Sequence, residues 1–147
     1  MKPKILIVTL IVLFCLALAL PEPVQATKPV EDFEISATLT IMSETYAEGD
    51  FQISCPDLSI SDQGFASETF KISWDGLTIH GVKTLEGDMG TIVVKFRGRM
   101  TPEGVEGMFT IVSGTGAYAK LHAVGTTTAT IWQGVIDAHY IGSAHFD

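Results

Sequence analysis

Residues 33–41 read Phe33-Glu34-Ile35-Ser36-Ala37-Thr38-Leu39-Thr40-Ile41, apolar at every odd number and polar at every even one. Successive side chains of an extended chain point to opposite faces, so a strict period of two marks a strand with one buried and one wet side. Working outward, the same period returns in Phe51, Ile53 and Cys55, in Phe70, Ile72 and Trp74, in Ile92, Val94, Phe96, Gly98 and Met100, and in Phe109 and Ile111. It ends the chain in the threonine-rich run 124–132 and in 136–146. From residue 27 onward, no stretch of ten residues repeats with a helical period, and only 115–122 could wind into a helical turn.

Turn signals separate these runs: Glu48-Gly49-Asp50, Asp62-Gln63-Gly64, Asp75-Gly76, Glu86-Gly87-Asp88, Pro102-Glu103-Gly104, Gly114-Thr115-Gly116 and Gln133-Gly134. Asp75-Gly76, between Trp74 and Leu77, predicts a two-residue hairpin with positive φ at both positions. Pro29, Pro56 and Pro102 all fall outside or at the ends of the runs, as proline must in a sheet. About eight regularly spaced strands with no helix to cover a sheet edge have to close on themselves or pack as two sheets. The expectation is therefore one all-β domain over residues 27–147, an eight-stranded antiparallel barrel, with a two-sheet β-sandwich as the alternative.

Residues 1–26 read differently. Lys2 and Lys4 precede an almost wholly apolar run, 5–20, and Pro21 and Pro23 lead to Val24-Gln25-Ala26. A charged start, an apolar middle and a small-residue end predict a signal peptide cleaved after Ala26, and hence a secreted, periplasmic or extracellular product. Of the 9 Lys and Arg and the 17 Asp and Glu, the leader holds Lys2, Lys4 and Glu22, which leaves 7 against 16 and a formal charge of −9. That balance argues against nucleic acid and against an anionic membrane surface as partners. Cleavage also removes Cys15 and leaves Cys55 alone, so the mature chain has no internal disulfide. Cys55 reads as a small buried hydrophobe, or else as a reactive thiol or an intermolecular bridge.

The segment Ser113-Gly114-Thr115-Gly116-Ala117-Tyr118-Ala119-Lys120-Leu121-His122-Ala123 needs no chemistry to account for it. Gly114 and Gly116 suit a sharp turn, and Tyr118 and Leu121 can tuck beneath it. The three-glycine spacing and following helix of a dinucleotide site are missing. The segment resembles the Gly-Thr/Ser-Gly-x-aromatic motif of plant dirigent proteins and allene oxide cyclases, and still more that of uncharacterised secreted bacterial members of the same barrel superfamily. The likeness covers roughly residues 91–147. It implies an eight-stranded antiparallel barrel with a lumen. In the family a glycine often follows the aromatic by two, with an Arg-Gly or aromatic-Gly pair next; here Lys120, His122 and Ala123 stand in those places. No catalytic role carries over.

Three polar constellations are candidates for chemistry. Asp137, His139, Ser143, His145 and Asp147 share one strand face, where neighbours two apart lie about 6.5–7 Å from each other and can pair; the plain reading is a solvated outer face. Lys95, Arg97 and Arg99 form a basic stripe, read either as a carboxylate or sulfate strip or as a charged face beside acidic neighbours that discourages edge pairing. The acidic turns lack the spacing of a calcium loop, and no nucleophile elbow, zinc motif or cysteine cluster occurs. Neither catalytic residues, nor a metal site, nor a cofactor is expected. Phe33, Trp74, Phe96, Met100 and Tyr140 lie on faces read as inward, and Trp74, Phe96, Met100 and Tyr140 are the candidate ligand-binding residues. The leading functional expectation is a binding protein for a small apolar or aromatic ligand, monomeric or homo-oligomeric. The alternatives are a cofactor-free isomerase or cyclase of dirigent or allene oxide cyclase type, and an envelope protein acting through its outer surface.

Overall fold

A computed structural model describes residues 28–147; the expected signal peptide and cleavage site lie outside the described residues. Eight strands follow one another: β1 (Val30–Ser43), β2 (Tyr46–Cys55), β3 (Ile60–Ile72), β4 (Thr78–Gly87), β5 (Gly90–Thr101), β6 (Gly104–Gly114), β7 (Leu121–Trp132) and β8 (Val135–Phe146). Each pairs antiparallel with the next, and β1 pairs with β8, for example Ile35 with Tyr140, so the sheet is a closed barrel. Closure removes every sheet edge, and the sandwich alternative falls.

The interior is built from the alternation. Phe33, Ile35, Ala37 and Leu39 of β1, Ile92, Val94 and Phe96 of β5, and Ile136, Ala138 and Tyr140 of β8 are all buried. One register row crosses seven of the eight strands as Phe70, Gly81, Phe96, Phe109, Gly125, Gly142 and Phe33. Glycines here make room for rings. A Cβ on Gly81 would lie 2.6 Å from a ring carbon of Phe96. The rings of Phe33 and Phe109 stack with centroids 6.2 Å apart, and Phe109 meets Tyr140 edge-on at 5.3 Å. Large side chains set against vacant positions are how a narrow barrel fills its taper.

The strand connections alternate between the barrel's two ends. One end carries the β1–β2, β3–β4, β5–β6 and β7–β8 hairpins. The other carries the remaining connections and is tied together by two carboxylates. Asp62 accepts hydrogen bonds from the Gln63, Asp88 and Met89 amides at 2.9, 3.1 and 3.0 Å and from the Tyr118 hydroxyl at 2.8 Å. Burial raises the Asp62 carboxyl, but those four donors outweigh it and hold its pKa below the ordinary value. Asp32 accepts from the Asp57 amide at 3.0 Å and the Cys55 thiol at 3.1 Å. Cys55 is buried, and burial together with Asp32 pushes its pKa up to about 12, so it stays an unreactive thiol at neutral pH.

The turns and one aromatic depart from what the sequence predicts. Asp75-Gly76 is not a two-residue hairpin. Ser73–Leu77 form a five-residue loop in which the Asp75 carboxylate accepts from Ser73 and from the Leu77 amide at 3.0 Å, and only Gly76 has positive φ, 72°. The turn with two left-handed residues is Gln133-Gly134, at φ 49° and 80°. Glu48-Gly49-Asp50 and Asp62-Gln63-Gly64 lie inside β2 and β3; a Cβ on Gly49 would sit 2.1 Å from the Thr38 carbonyl oxygen, so this glycine serves close approach within the wall. Gly116 has positive φ, 61°, but Gly114 does not. Trp74 does not face inward: it is 98% exposed on the β3–β4 loop, because the strand ends before it and the parity of Phe70 no longer applies.

Candidate binding groove on the barrel wall

The lumen is nearly full. Toward the hairpin end it encloses a void of about 20 Å³ lined by Glu68, Phe96, Thr127, Tyr140 and aliphatic side chains, room for about one water. Beside it lies a polar cluster that local periodicity did not reveal. Glu68 and Lys83 are register partners on β3 and β4, both buried, with Nζ 2.9 Å from Oε2. The ammonium is also 4.8 Å from the centre of the Tyr140 ring. It makes a close ion pair yet no aligned hydrogen bond. Burial acts to lower the Lys83 pKa, but Tyr140 and the Glu68 carboxylate beside it more than offset this, and it stands above the ordinary lysine value. Burial raises the Tyr140 phenol despite the opposing ammonium. The available signal was an acid between Ala66 and Phe70 and a base between Gly81 and Leu85, each on an otherwise apolar parity.

Of the four candidate ligand residues, Phe96 and Tyr140 meet at this void, Met100 packs partly buried against the core, and Trp74 is outside. The residues of the glycine-threonine-glycine segment have structural roles. Thr115 accepts from the Thr91 amide through its hydroxyl at 3.0 Å, the Ala117 amide donates to Met89 at 2.8 Å, and Tyr118 is fully buried with its hydroxyl on Asp62. Gly116 backs onto the Met89 carbonyl, where a Cβ would not fit, and Gly114 lies as close to the Tyr118 backbone. The segment clasps the β4–β5 turn to β3.

The concavity best suited to an apolar ligand is on the outer wall. A groove of about 520 Å³ is lined mostly by apolar surface from Tyr46, Thr69, Phe70, Gly81, Val82 and Phe96, with Lys71, His80 and Lys95 at its margin. Register explains it. Tyr46, Thr69, Val82 and Lys95 form one outward row across β2–β5, and Lys71, His80 and Arg97 form the next. Between Phe70 and Phe96 the wall holds only Gly81, so both rings contribute to the groove. The Tyr46 hydroxyl donates to Glu48 at 2.8 Å on the β2 side, which, with burial, raises its pKa. Two larger depressions, about 610 and 600 Å³, run over β1–β3, but serine, threonine, glutamine and acidic side chains line them and suit water.

The remaining polar sets lie outside. Asp137 and His139 do not pair with each other; Asp137 accepts from the Thr38 hydroxyl at 2.8 Å, and both lie on the solvated face expected of them. Asp147 approaches His122 at 2.7 Å and His145 at 3.5 Å, and the two imidazoles stack at 5.3 Å. The basic stripe is exposed, but it is not an edge guard, since β5 is paired on both sides and only Arg99 faces an acidic register partner, Glu106. Comparison with protein-family models, curated proteins and solved structures gave no match.

Proposed function

We propose that the chain is a secreted binding module, related to the dirigent and allene oxide cyclase barrels, that holds a small apolar or aromatic ligand in the wall groove over β3–β5. The observation that carries this reading is the contrast in space: a mostly apolar groove of about 520 Å³ against a lumen void of about 20 Å³. Groove volumes of this size suit drug-sized ligands. Phe96, expected to bind from inside, contributes to the groove through the gap at Gly81. The eight-stranded closed meander supports the kinship. So does Lys120, at φ 71°: it stands where the family often has glycine, and glycine adopts that conformation without strain. Native mass spectrometry of residues 27–147, purified gently from the exporting cells, tests the binding reading. A small-molecule adduct that is lost on denaturation and absent from Val82→Glu supports it. A clean protein mass for both chains overturns it.

A second reading rests on the hairpin end. Both tryptophans of the chain, Trp74 and Trp132, are exposed there with Met42, Ile72 and Leu77. A filled lumen and an apolar rim favour an envelope protein working through its surface. Phosphatidylcholine vesicles would then shift the tryptophan emission to the blue, and an unchanged spectrum counts against the rim as a lipid contact. The isomerase alternative has inward acid and base groups in Glu68, Lys83 and Tyr140, beside a void too small for a substrate.

A further inference from the structure

We propose that the ligand of the wall groove is an amphipathic acid, an apolar body carrying one anionic head, with the head seated against Lys71, His80 and Lys95; this rests on the groove being the binding site. Residues 27–147 carry only 7 basic side chains against 16 acidic ones. Four of the seven, Lys71, Lys95, Arg97 and Arg99, stand on the outer face of β3 and β5, and Lys83 is inside the barrel. Among the described residues none of those four has a carboxylate within 4.0 Å; the ion pairs there are Lys83–Glu68 and the two histidine contacts of Asp147. In a chain this acidic, exposed cations gathered on one face without partners leave a local positive field directed at solvent.

Register gives the geometry. Lys71, His80 and Arg97 occupy one row across three adjacent strands, a span of about 10 Å at the usual strand spacing, and Lys95 lies about 6.5–7 Å along β5 from Arg97. The groove's lining places Lys71, His80 and Lys95 around Val82, Gly81 and Phe96. Its opposite, β2 side carries Tyr46 bound to Glu48. A ligand with a single negative head is therefore oriented: its head goes toward the margin formed by Lys71, His80 and Lys95, and its body lies over Thr69, Phe70 and Val82 toward Tyr46. Glu106 faces Arg99 and Asp75 is held within the β3–β4 loop, so neither carboxylate neutralises Lys71 or Lys95.

Isothermal titration of the 27–147 chain with monomeric dodecanoate and dodecan-1-ol separates the parts of this inference. With several exposed contacts each contributing modestly, the acid should bind about tenfold more tightly than the alcohol at low salt. The difference should shrink as salt rises from about 20 mM to about 500 mM and the screening length shortens. In Lys71→Gln/Lys95→Gln the acid-to-alcohol ratio should fall toward one, and Val82→Glu should lose both ligands. Equal binding of acid and alcohol by the unaltered chain overturns the head-group assignment while leaving the groove in place. A preference that survives Lys71→Gln/Lys95→Gln overturns the placement of the head. Saturable binding of neither probe, or binding indifferent to Val82→Glu, overturns the groove itself. Binding only to phosphatidylglycerol vesicles, with monomeric dodecanoate ignored, overturns the free acid in favour of a lipid surface.

Discussion

Lys83 and Glu68 show how much hangs on one contact when both partners are inside. Each ion alone is costly to bury, and the pair is retained because each offsets the other's charge at 2.9 Å. Lys83→Met leaves an uncompensated carboxylate in the lumen and should cost about 3–5 kcal/mol, seen as a lowered urea midpoint. Lys83→Met/Glu68→Leu should recover most of that loss, since an apolar pair of similar volume needs no charge balance; additive losses would show that the two side chains act independently. Asp62 gives a pH signature. Its folded pKa lies below the ordinary 3.8 because Tyr118 and three amides bind the ionised form against the upward pull of burial. The stabilisation is fully present above the unfolded pKa and is lost as pH falls through the lower folded value. Thermal unfolding followed from pH 7 to pH 2 should show Asp62→Asn well below the wild type at neutral pH, with the two curves converging in acid. A constant gap would mean that the charge on Asp62 plays no part.

The turns that join the strands contain strain that can be relieved. Lys120, just past the 3₁₀ turn Gly116–Tyr118, and Gln133 in the β7–β8 hairpin both hold positive φ, 71° and 49°. Left-handed backbone costs an ordinary L-residue about 1–2 kcal/mol. Lys120→Gly and Gln133→Asn should each raise stability by about 0.5–1 kcal/mol, read from denaturant midpoints, with Gly134→Ala moving in the other direction. No gain at either site would mean that side-chain packing outweighs the backbone term. These places also mark where reading the chain alone succeeds and fails. Alternation in 33–41, 92–100 and 136–146 was enough to identify strands and their buried faces, because a half-buried strand has no other way to satisfy both sides. Glycine was ambiguous. Gly134 turns the chain, whereas Gly49 and Gly64 make room for a neighbouring backbone, and only the register of the next strand tells the two uses apart. The candidate site was harder still. Phe96 and Tyr140 were legible as buried aromatics, but Glu68 and Lys83 become a pair only once β3 and β4 are aligned. The groove needs the registers of four strands before Tyr46, Thr69, Val82 and Lys95 fall into one row.

Barrel closure leaves each end of the molecule with its own character. At the end clasped by Asp62 and Asp32, polar bonds gather the strand connections, while the hairpin end exposes both tryptophans together with Met42, Ile72 and Leu77. Trp74 is 98% and Trp132 75% exposed, and the chain has no other tryptophan, so its selectively excited tryptophan fluorescence reports on that rim. Burial of an indole in a core shifts its emission to the blue, and exposure during unfolding normally shifts it back. Here the folded monomer already presents both rings to water. Its native emission should therefore resemble that of the unfolded chain, and acrylamide should quench it nearly as well. Urea unfolding should move the emission maximum very little while the far-ultraviolet dichroism of the strands is lost. Single variants Trp74→Phe and Trp132→Phe should each leave a spectrum of the same position and lower intensity. A native spectrum lying well to the blue contradicts the open rim of a monomer. If that spectrum reddens on dilution, a second copy of the chain covers the rim; if it does not, both indoles are packed within a single chain, and the exposed placement of the β3–β4 and β7–β8 connections is wrong.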